Sequence, residues 1–243
     1  MRQVHFLSWV PDIIQRAWFP RVFPFFLFIA FIALEGLVDI LSPYHPFLTT
    51  FAEYDSYLFY PVKTVLAAAA LFFFWNRYSE IDLRQIFLKK NLLSGLFAGI
   101  AVFILWINMD WGFAAQGQAK GFNPFIFNIP LLTVVLISFR LFGAFVVVPV
   151  FEEIFWRSFI IRFIINPEFE EVPIGRFTWP SFVISSILFG LEHNLWLAGI
   201  MAGVSYSLVV YYTKNLNTAI LAHGVTNLLL GIYVLSTGNW QFW

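Results

Sequence analysis

Long apolar runs separated by short polar segments dominate the chain. They occupy roughly residues 22–41, 58–75, 92–109, 125–165, 180–197, 198–213 and 217–236. A helix needs about 20 such residues to cross a membrane core of about 30 Å, so the pattern predicts an all-α polytopic bundle with seven or eight transmembrane helices. At 1.5 Å per residue the fourth run would form about 60 Å of helix, so it must bend, protrude or break. Pro130 and Pro149 are the expected places.

Both ends of the chain add amphipathic, tryptophan-containing sequence to this bundle. Residues 1–19 mix Arg2, Asp12 and Arg16 with apolar side chains, which is typical of a helix lying in the membrane interface. The final segment TGNWQFW resembles an interfacial aromatic anchor. We therefore expect a single membrane domain over residues 1–243 with an interfacial helix at its start.

The composition narrows the function classes. The chain is 60% hydrophobic and 12% charged, whereas soluble domains are about one quarter charged. Net charge is zero and there is no basic block, so we do not expect a nucleic-acid partner. The partner that we expect is the lipid bilayer. The absence of cysteine excludes thiolate metal sites and a cysteine nucleophile. Nothing in the sequence indicates an oligomeric state.

The positive charges are distributed unevenly between the two sides of a seven-span topology. Only Lys120 falls on the far side, which predicts a cytoplasmic N-terminus. Lys63 lies close enough to a span end to reach the interface. Arg140 needs a partner that the sequence does not name. The basic residues on the near side are Arg2, Arg16, Arg21, Arg77, Arg84, Lys89, Lys90, Arg162, Arg176 and Lys214.

Two carboxylates and an arginine interrupt the fourth apolar run. An ionised side chain at the centre of a membrane helix costs roughly 2.5 to 3.5 kcal/mol and usually marks a functional interior. Glu153 and Arg157 are four residues apart, so they share a helical face and can neutralise each other. Glu152 is turned about 100° away and is free to point elsewhere. The alternative is a buried ionic cluster that only fixes helix packing.

Two further polar groups occur in later spans. His193 follows Phe189 by four residues on what we expect to be one helical face, and His223 precedes Asn227 by the same spacing. A single membrane histidine more often forms a helix–helix hydrogen bond. Two histidines, an asparagine and a carboxylate pair on three helices favour a common site.

The three motifs together resemble the signatures of the CPBP (Abi) family of intramembrane proteases, which includes the type II CAAX prenyl endopeptidase. They are Glu152-Glu153-x-x-x-Arg157, Phe189-x-x-x-His193 and His223-x-x-x-Asn227, within a predicted protease core over residues 130–235. The resemblance implies that Glu152 and His193 are the catalytic pair and that His223 and Asn227 stabilise the transition state. Glu153, Arg157 and Phe189 would support them.

A narrower resemblance concerns the branch of the family. Ser158 stands where many relatives have glycine, and the Trp-Arg-Ser sequence and the Asn-Trp-Gln-Phe-Trp ending are similar to bacterial CAAX-protease-related proteins associated with exosortase sorting. This implies a bacterial cytoplasmic (inner) membrane. The expected substrate is a membrane-associated protein or peptide, such as a sorting tail or peptide precursor.

The residue types leave two forms of hydrolysis open. Glu152 could deprotonate a water that His193 orients, with His223 and Asn227 as donors to the oxyanion. Alternatively, Glu152, His193 and His223 could bind one divalent metal such as zinc. Asn227 suits an oxyanion donor better than a zinc ligand, so the form without a cofactor is favoured.

The sequence also leaves open a non-enzymatic class of protein and the depth of the site in the membrane. A transporter or an immunity protein would also carry ionisable membrane residues, although no internal repeat of the kind many carriers have is visible. In the seven-span topology Glu152 falls toward the cytoplasmic end of its span and His193 toward the opposite end of the next. The sequence therefore leaves open the side on which a site would open.

Overall fold

The computed structural model describes residues 10–117 and 120–243, and this part of the chain is built from helices without a strand. Six of its helices are long and apolar enough to cross a membrane, and a further apolar helix, Trp179–Leu191, is shorter. The predicted all-α polytopic bundle is confirmed, and the chain is an integral membrane protein. The helices are α1 Val10–Gln15, α2 Trp18–Leu41, α3 Pro46–Ala52, α4 Asp55–Phe73, α5 Lys89–Trp106, α6 Pro130–Ile165, α7 Trp179–Leu191, α8 Trp196–Thr213 and α9 Leu216–Thr237.

The predicted interfacial helix is described only in part, because residues 1–9 lie outside the described residues. Helix α1 covers the end of that segment, and α2 begins at Trp18. The guanidinium of Arg77 donates to the backbone oxygen of Gln15 at 2.8 Å, which ties the end of α1 to the loop after α4.

The long fourth run forms one continuous helix, α6, rather than two broken pieces. Pro130 is at its start, where a missing N–H costs nothing. Segments Gly143–Val147 and Ile154–Ile160 are π-helical. Pro149 follows the first of them, so the helix passes it by widening. The helix therefore does not break at Pro149, and the glutamate pair lies between the two wide segments.

Helix α7 is shorter than predicted. It ends at Leu191, whereas the apolar pattern predicted a span to residue 197, and it turns back into α8. Thirteen residues rise about 20 Å, less than the membrane core. The turn that carries His193 therefore lies at membrane depth.

Glycines allow this hairpin to close. A Cβ on Gly199 would lie 2.9 Å from the Cα of Gly190, and one on Gly203 would lie 3.1 Å from the backbone oxygen of Ser186. Such small-residue contacts let membrane helices approach closely. The depth of the turn is thus fixed by the packing of α7 against α8.

Helix α9 packs against α5 at the centre of the bundle. A Cβ on Gly99 would lie 2.6 Å from the backbone oxygen of Ala222, so only glycine fits there. The hydroxyl of Thr226 donates to the backbone oxygen of Gly99 at 2.9 Å. This contact holds the helix that carries His223 and Asn227 in place.

An ionic cluster joins the loop after α4 to α2 and α6. The Nε and Nη2 atoms of Arg21 each donate to Glu80 at 2.8 Å, and the Ser158 hydroxyl also donates to this carboxylate. The guanidinium of Arg162 lies 4.0 Å from it. Burial raises the pKa of Glu80, but the hydrogen bonds and the charge of Arg21, together with the hydrogen bond from Ser158, outweigh burial and hold that pKa below its usual value. Glu80 is therefore ionised at neutral pH.

Candidate active site

Helices α6 and α9 and the turn between α7 and α8 bring the predicted site residues to one cavity of about 590 Å³. Glu152, His193, His223 and Asn227 all line it, and so does Phe189. The mismatch in depth expected from a seven-span topology disappears because α7 ends early. The three sequence motifs therefore meet in space.

The ion pair predicted from the sequence is present behind this cavity. Nη1 of Arg157 lies 3.1 Å from Oε1 of Glu153, and both side chains are at most 2% exposed. Nη2 of Arg157 donates to the backbone oxygen of Gly203 at 3.1 Å, and its guanidinium lies 4.3 Å from the ring centroid of Phe189. The pair fixes α6 against α7 and α8, and Phe189 packs on its cation.

His223 is oriented by the same carboxylate. Its Nδ1 lies 3.0 Å from Oε1 of Glu153, and because an ionised carboxylate only accepts, we assign a proton to Nδ1. Tyr206 stacks on the imidazole at 4.9 Å between ring centroids. Nε2 of His223 lies 3.9 Å from Oε2 of Glu152, too long for a hydrogen bond. That Glu152 oxygen is buried and has no partner among the described residues.

His193 is held from the other side of the cavity. It lies just beyond the end of α7 rather than within a helix, so the helical-face prediction for it is wrong. Its Nδ1 is still 2.7 Å from the backbone oxygen of Phe189. Because a carbonyl oxygen only accepts, Nδ1 carries the proton of the neutral ring and Nε2 is left as an acceptor. Trp106 packs edge-on against the ring at 5.5 Å.

Glu192 is a member of the cluster that sequence reasoning missed. One donor atom from each of Glu152, Glu192 and His193 lies within 4.8 Å of the others. Oε1 of Glu192 also accepts a 3.0 Å hydrogen bond from the indole N–H of Trp156. Its position beside His193, at the end of an apolar run, was the available signal. The metal set considered from sequence contained His223, whereas the group brought together here contains Glu192.

Asn227 is positioned by the first wide segment of α6. Its amide nitrogen donates to the backbone oxygen of Ala144 at 2.8 Å, which leaves the second amide hydrogen available. A Cβ on Gly224 would lie 2.9 Å from the backbone oxygen of Phe145. The widening of α6 and the glycine of α9 together bring the amide to the cavity.

An apolar membrane cavity with a buried acid–base cluster at its wall is the arrangement expected of an intramembrane hydrolase. Residues 132–229 match the family model described as Rce1-like, the type II CAAX prenyl endopeptidase Rce1-like family. The matching segment contains all four predicted catalytic residues, and the match supports an intramembrane protease of the CAAX type in general. No curated protein and no solved structure matches the chain.

Proposed function

We propose that the protein hydrolyses a peptide bond in a membrane-associated protein or peptide, using a water activated by Glu152 and His193. The observation that carries this proposal is the shared cavity, into which both side chains and the His223–Asn227 pair project. Glu152 also keeps a buried oxygen without a partner among the described residues. A buried acceptor without a donor is costly, and a water molecule would satisfy it.

The proposed water activation uses two acceptors. A water that donates one hydrogen to Glu152 and the other to Nε2 of His193 presents a lone pair to the substrate carbonyl. Glu152 takes the proton as the O–C bond forms. The same proton then passes to the leaving amine when the C–N bond breaks, so Glu152 ends the cycle ionised.

The oxyanion would be stabilised by the α9 pair. Asn227 has one amide hydrogen left for it. His223 lies beside it, with Nδ1 3.0 Å from Oε1 of Glu153, and would add a second donor from Nε2 when its ring carries both protons. Removing one such donor typically raises a reaction barrier by about 2.7 to 4 kcal/mol.

A metal-dependent form of the same hydrolysis is the second candidate, favoured by the proximity of Glu152, Glu192 and His193. Two carboxylates and an imidazole fit a divalent ion such as zinc, and the unpartnered oxygen of Glu152 is a suitable donor. Glu192 would have to bind through the oxygen that Trp156 does not use. A bound ion would supply Lewis acidity and lower the pKa of a coordinated water.

Hydrolysis can be tested with the purified protein in liposomes and a pool of apolar peptides in H₂¹⁸O. We expect new C-termini that each carry one ¹⁸O atom, detected by mass spectrometry, and no products with Glu152→Gln. The same assay after chelation and dialysis separates the two candidates, because activity without bound metal supports the metal-free form. A wild-type protein that cuts no peptide under any of these conditions would contradict the proposal.

The cavity opening supports a substrate on the non-cytoplasmic side of a bacterial inner membrane. Among the residues that line it, Asp39 and Lys120 are about half exposed, and they mark its mouth at the side of the bundle where α2 ends. Most basic loop residues lie at the other side of the bundle, where α2 begins, which favours a cytoplasmic N-terminus.

Orientation can be measured directly because the chain has no cysteine. In intact bacterial cells, a membrane-impermeant maleimide should label Glu53→Cys, an exposed position beside the mouth, and leave Arg84→Cys unlabelled until the cells are opened. The reverse labelling pattern would place the mouth in the cytoplasm.

A further inference from the structure

Arg140 lies in the wall of the same cavity, and no described carboxylate pairs with its guanidinium. No hydrogen bond within the described residues uses its guanidinium as a donor, and its Nε is buried without an acceptor. Aromatic rings surround the group, with centroids at 4.2 Å for Tyr60, 5.3 Å for Phe122 and 6.0 Å for Trp243. A guanidinium has five N–H donors and stays charged, so the described residues leave its capacity to donate to an anion unused.

The other two cationic side chains that line the cavity each have a carboxylate partner. Lys63, which sequence reasoning expected to reach the interface, is instead buried and lies 3.0 Å from Glu35. Lys120 lies 2.8 Å from Asp39 and 3.2 Å from Asp55.

Arg140 makes no ion pair with any described residue, and residues 1–9 and 118–119 contain no aspartate or glutamate that could supply one. Because a charge in a membrane cavity is costly when unpaired, the missing partner is expected to come from a ligand.

We propose that Arg140 binds a carboxylate of the substrate peptide and thereby selects which peptide bond is cut. The proposal rests on the proposed proteolytic function of the same cavity. A guanidinium matches the two oxygens of a carboxylate in a bidentate geometry, and aromatic rings stacked against it keep its edge available. The rest of the cavity offers mostly apolar contacts, which suit the apolar side chains of a membrane peptide.

The spacing of Arg140 and Glu152 along α6 sets the distance between the bound carboxylate and the peptide bond that is cut. Arg140 and Glu152 are twelve residues apart, about 18 Å of helix, and slightly less through the wide segment. An extended peptide spans about 3.3 Å per residue. The bound carboxylate would therefore lie roughly three to six residues from the bond that is cut. Either an aspartate or glutamate side chain or the free α-carboxylate of the peptide could provide it.

The test uses apolar peptides made in matched forms: with and without one glutamate, and as free acid or amide. For the wild-type protein in liposomes we expect kcat/KM to be about 10- to 100-fold higher for peptides that carry a carboxylate at the right distance. Arg140→Gln should reduce this ratio to about one while it still cleaves the uncharged form. A preference for the glutamate-containing peptides would assign the carboxylate to a side chain, and a preference for the free acids over the amides would assign it to the C-terminus of the peptide.

Two variants sharpen the result. Lys120→Gln removes a cation that already has partners at the mouth, so the preference should persist. Arg140→Glu should instead favour peptides with a lysine at the same position. An unchanged ratio in Arg140→Gln, or no preference in the wild type, would overturn the proposal.

A binding measurement separates this inference from the proposed function. The Glu152→Gln protein should bind the fluorescein-labelled glutamate peptide at least tenfold more tightly than its glutamine counterpart, and the additional Arg140→Gln change should remove the difference. Binding selectivity without cleavage by the wild type would contradict proteolysis but retain the role of Arg140. Cleavage by the wild type without selective binding would contradict the role of Arg140 but retain proteolysis.

Discussion

Glu152→Gln is expected to lower kcat by about 10²- to 10⁴-fold, the usual contribution of a general base, which corresponds to about 2.7 to 5.4 kcal/mol of barrier. The amide keeps the shape of the side chain but cannot accept the proton of water. Folding should be little affected, because Oε2 of Glu152 makes no hydrogen bond within the described residues. The rate is measured on the best peptide of the pool and the thermal midpoint by differential scanning fluorimetry in detergent.

Asp39→Asn is the matched control for this change. Its carboxylate lies at the mouth of the same cavity but is about half exposed, and Lys120 keeps Asp55 as a second partner. We expect activity within about twofold of wild type. If Glu152→Gln retained wild-type kcat, Glu152 could not be the base, and the assignment would pass to Glu192 or His193.

Glu80→Gln is expected to cause the largest loss of stability, about 3 to 5 kcal/mol, the usual cost of removing one partner from a buried ion pair. The side chain of Glu80 is 4% exposed, and the change leaves Arg21 buried without its carboxylate. Because the folded pKa of Glu80 is lowered, its contribution is complete above the unfolded value of 4.5 and is lost as the pH falls through the folded value. The midpoint difference from wild type should therefore be full at pH 7 and shrink below about pH 4.5.

An exposed carboxylate on the same side of the bundle provides the comparison. Glu171→Gln should leave the thermal midpoint unchanged both at pH 7 and below about pH 4.5, because the side chain of Glu171 is exposed. Equal midpoints for Glu80→Gln and wild type at pH 7 would show that the cluster with Ser158 and Arg162 does not hold the loop.

The sequence predicted the parts of the site that depend on spacing within one segment. The four-residue separation of Glu153 and Arg157 predicted their ion pair, since that spacing stacks two side chains on any α-helix and survives the local widening. The order of the three motifs identified the family that residues 132–229 match. The catalytic roles of Glu152, His193, His223 and Asn227 stay predictions.

The sequence did not predict the part that Glu192 plays in the cluster or the depth of His193, because both depend on where α7 ends. Apolar sequence resumes at residues 195–197 after three polar residues, so the pattern does not distinguish a polar site inside a longer span from the end of a helix at Leu191. The end follows from the close packing of Gly190 and Gly199 between two helices. Likewise, the sequence marked Pro149 as a place where the helix would be disturbed but did not show that α6 would widen there and continue.

By itself, then, the sequence determined a membrane bundle and predicted which side chains could react, because hydrophobic length and residue chemistry are local properties. Only the tertiary structure decided that His223 faces Glu153, that Glu192 joins Glu152 and His193, and that Arg140 pairs with no acid among the described residues. These facts depend on which helices touch and at what depth. In a membrane, where apolar surfaces give little preference among partners, glycine contacts and buried hydrogen bonds make that choice.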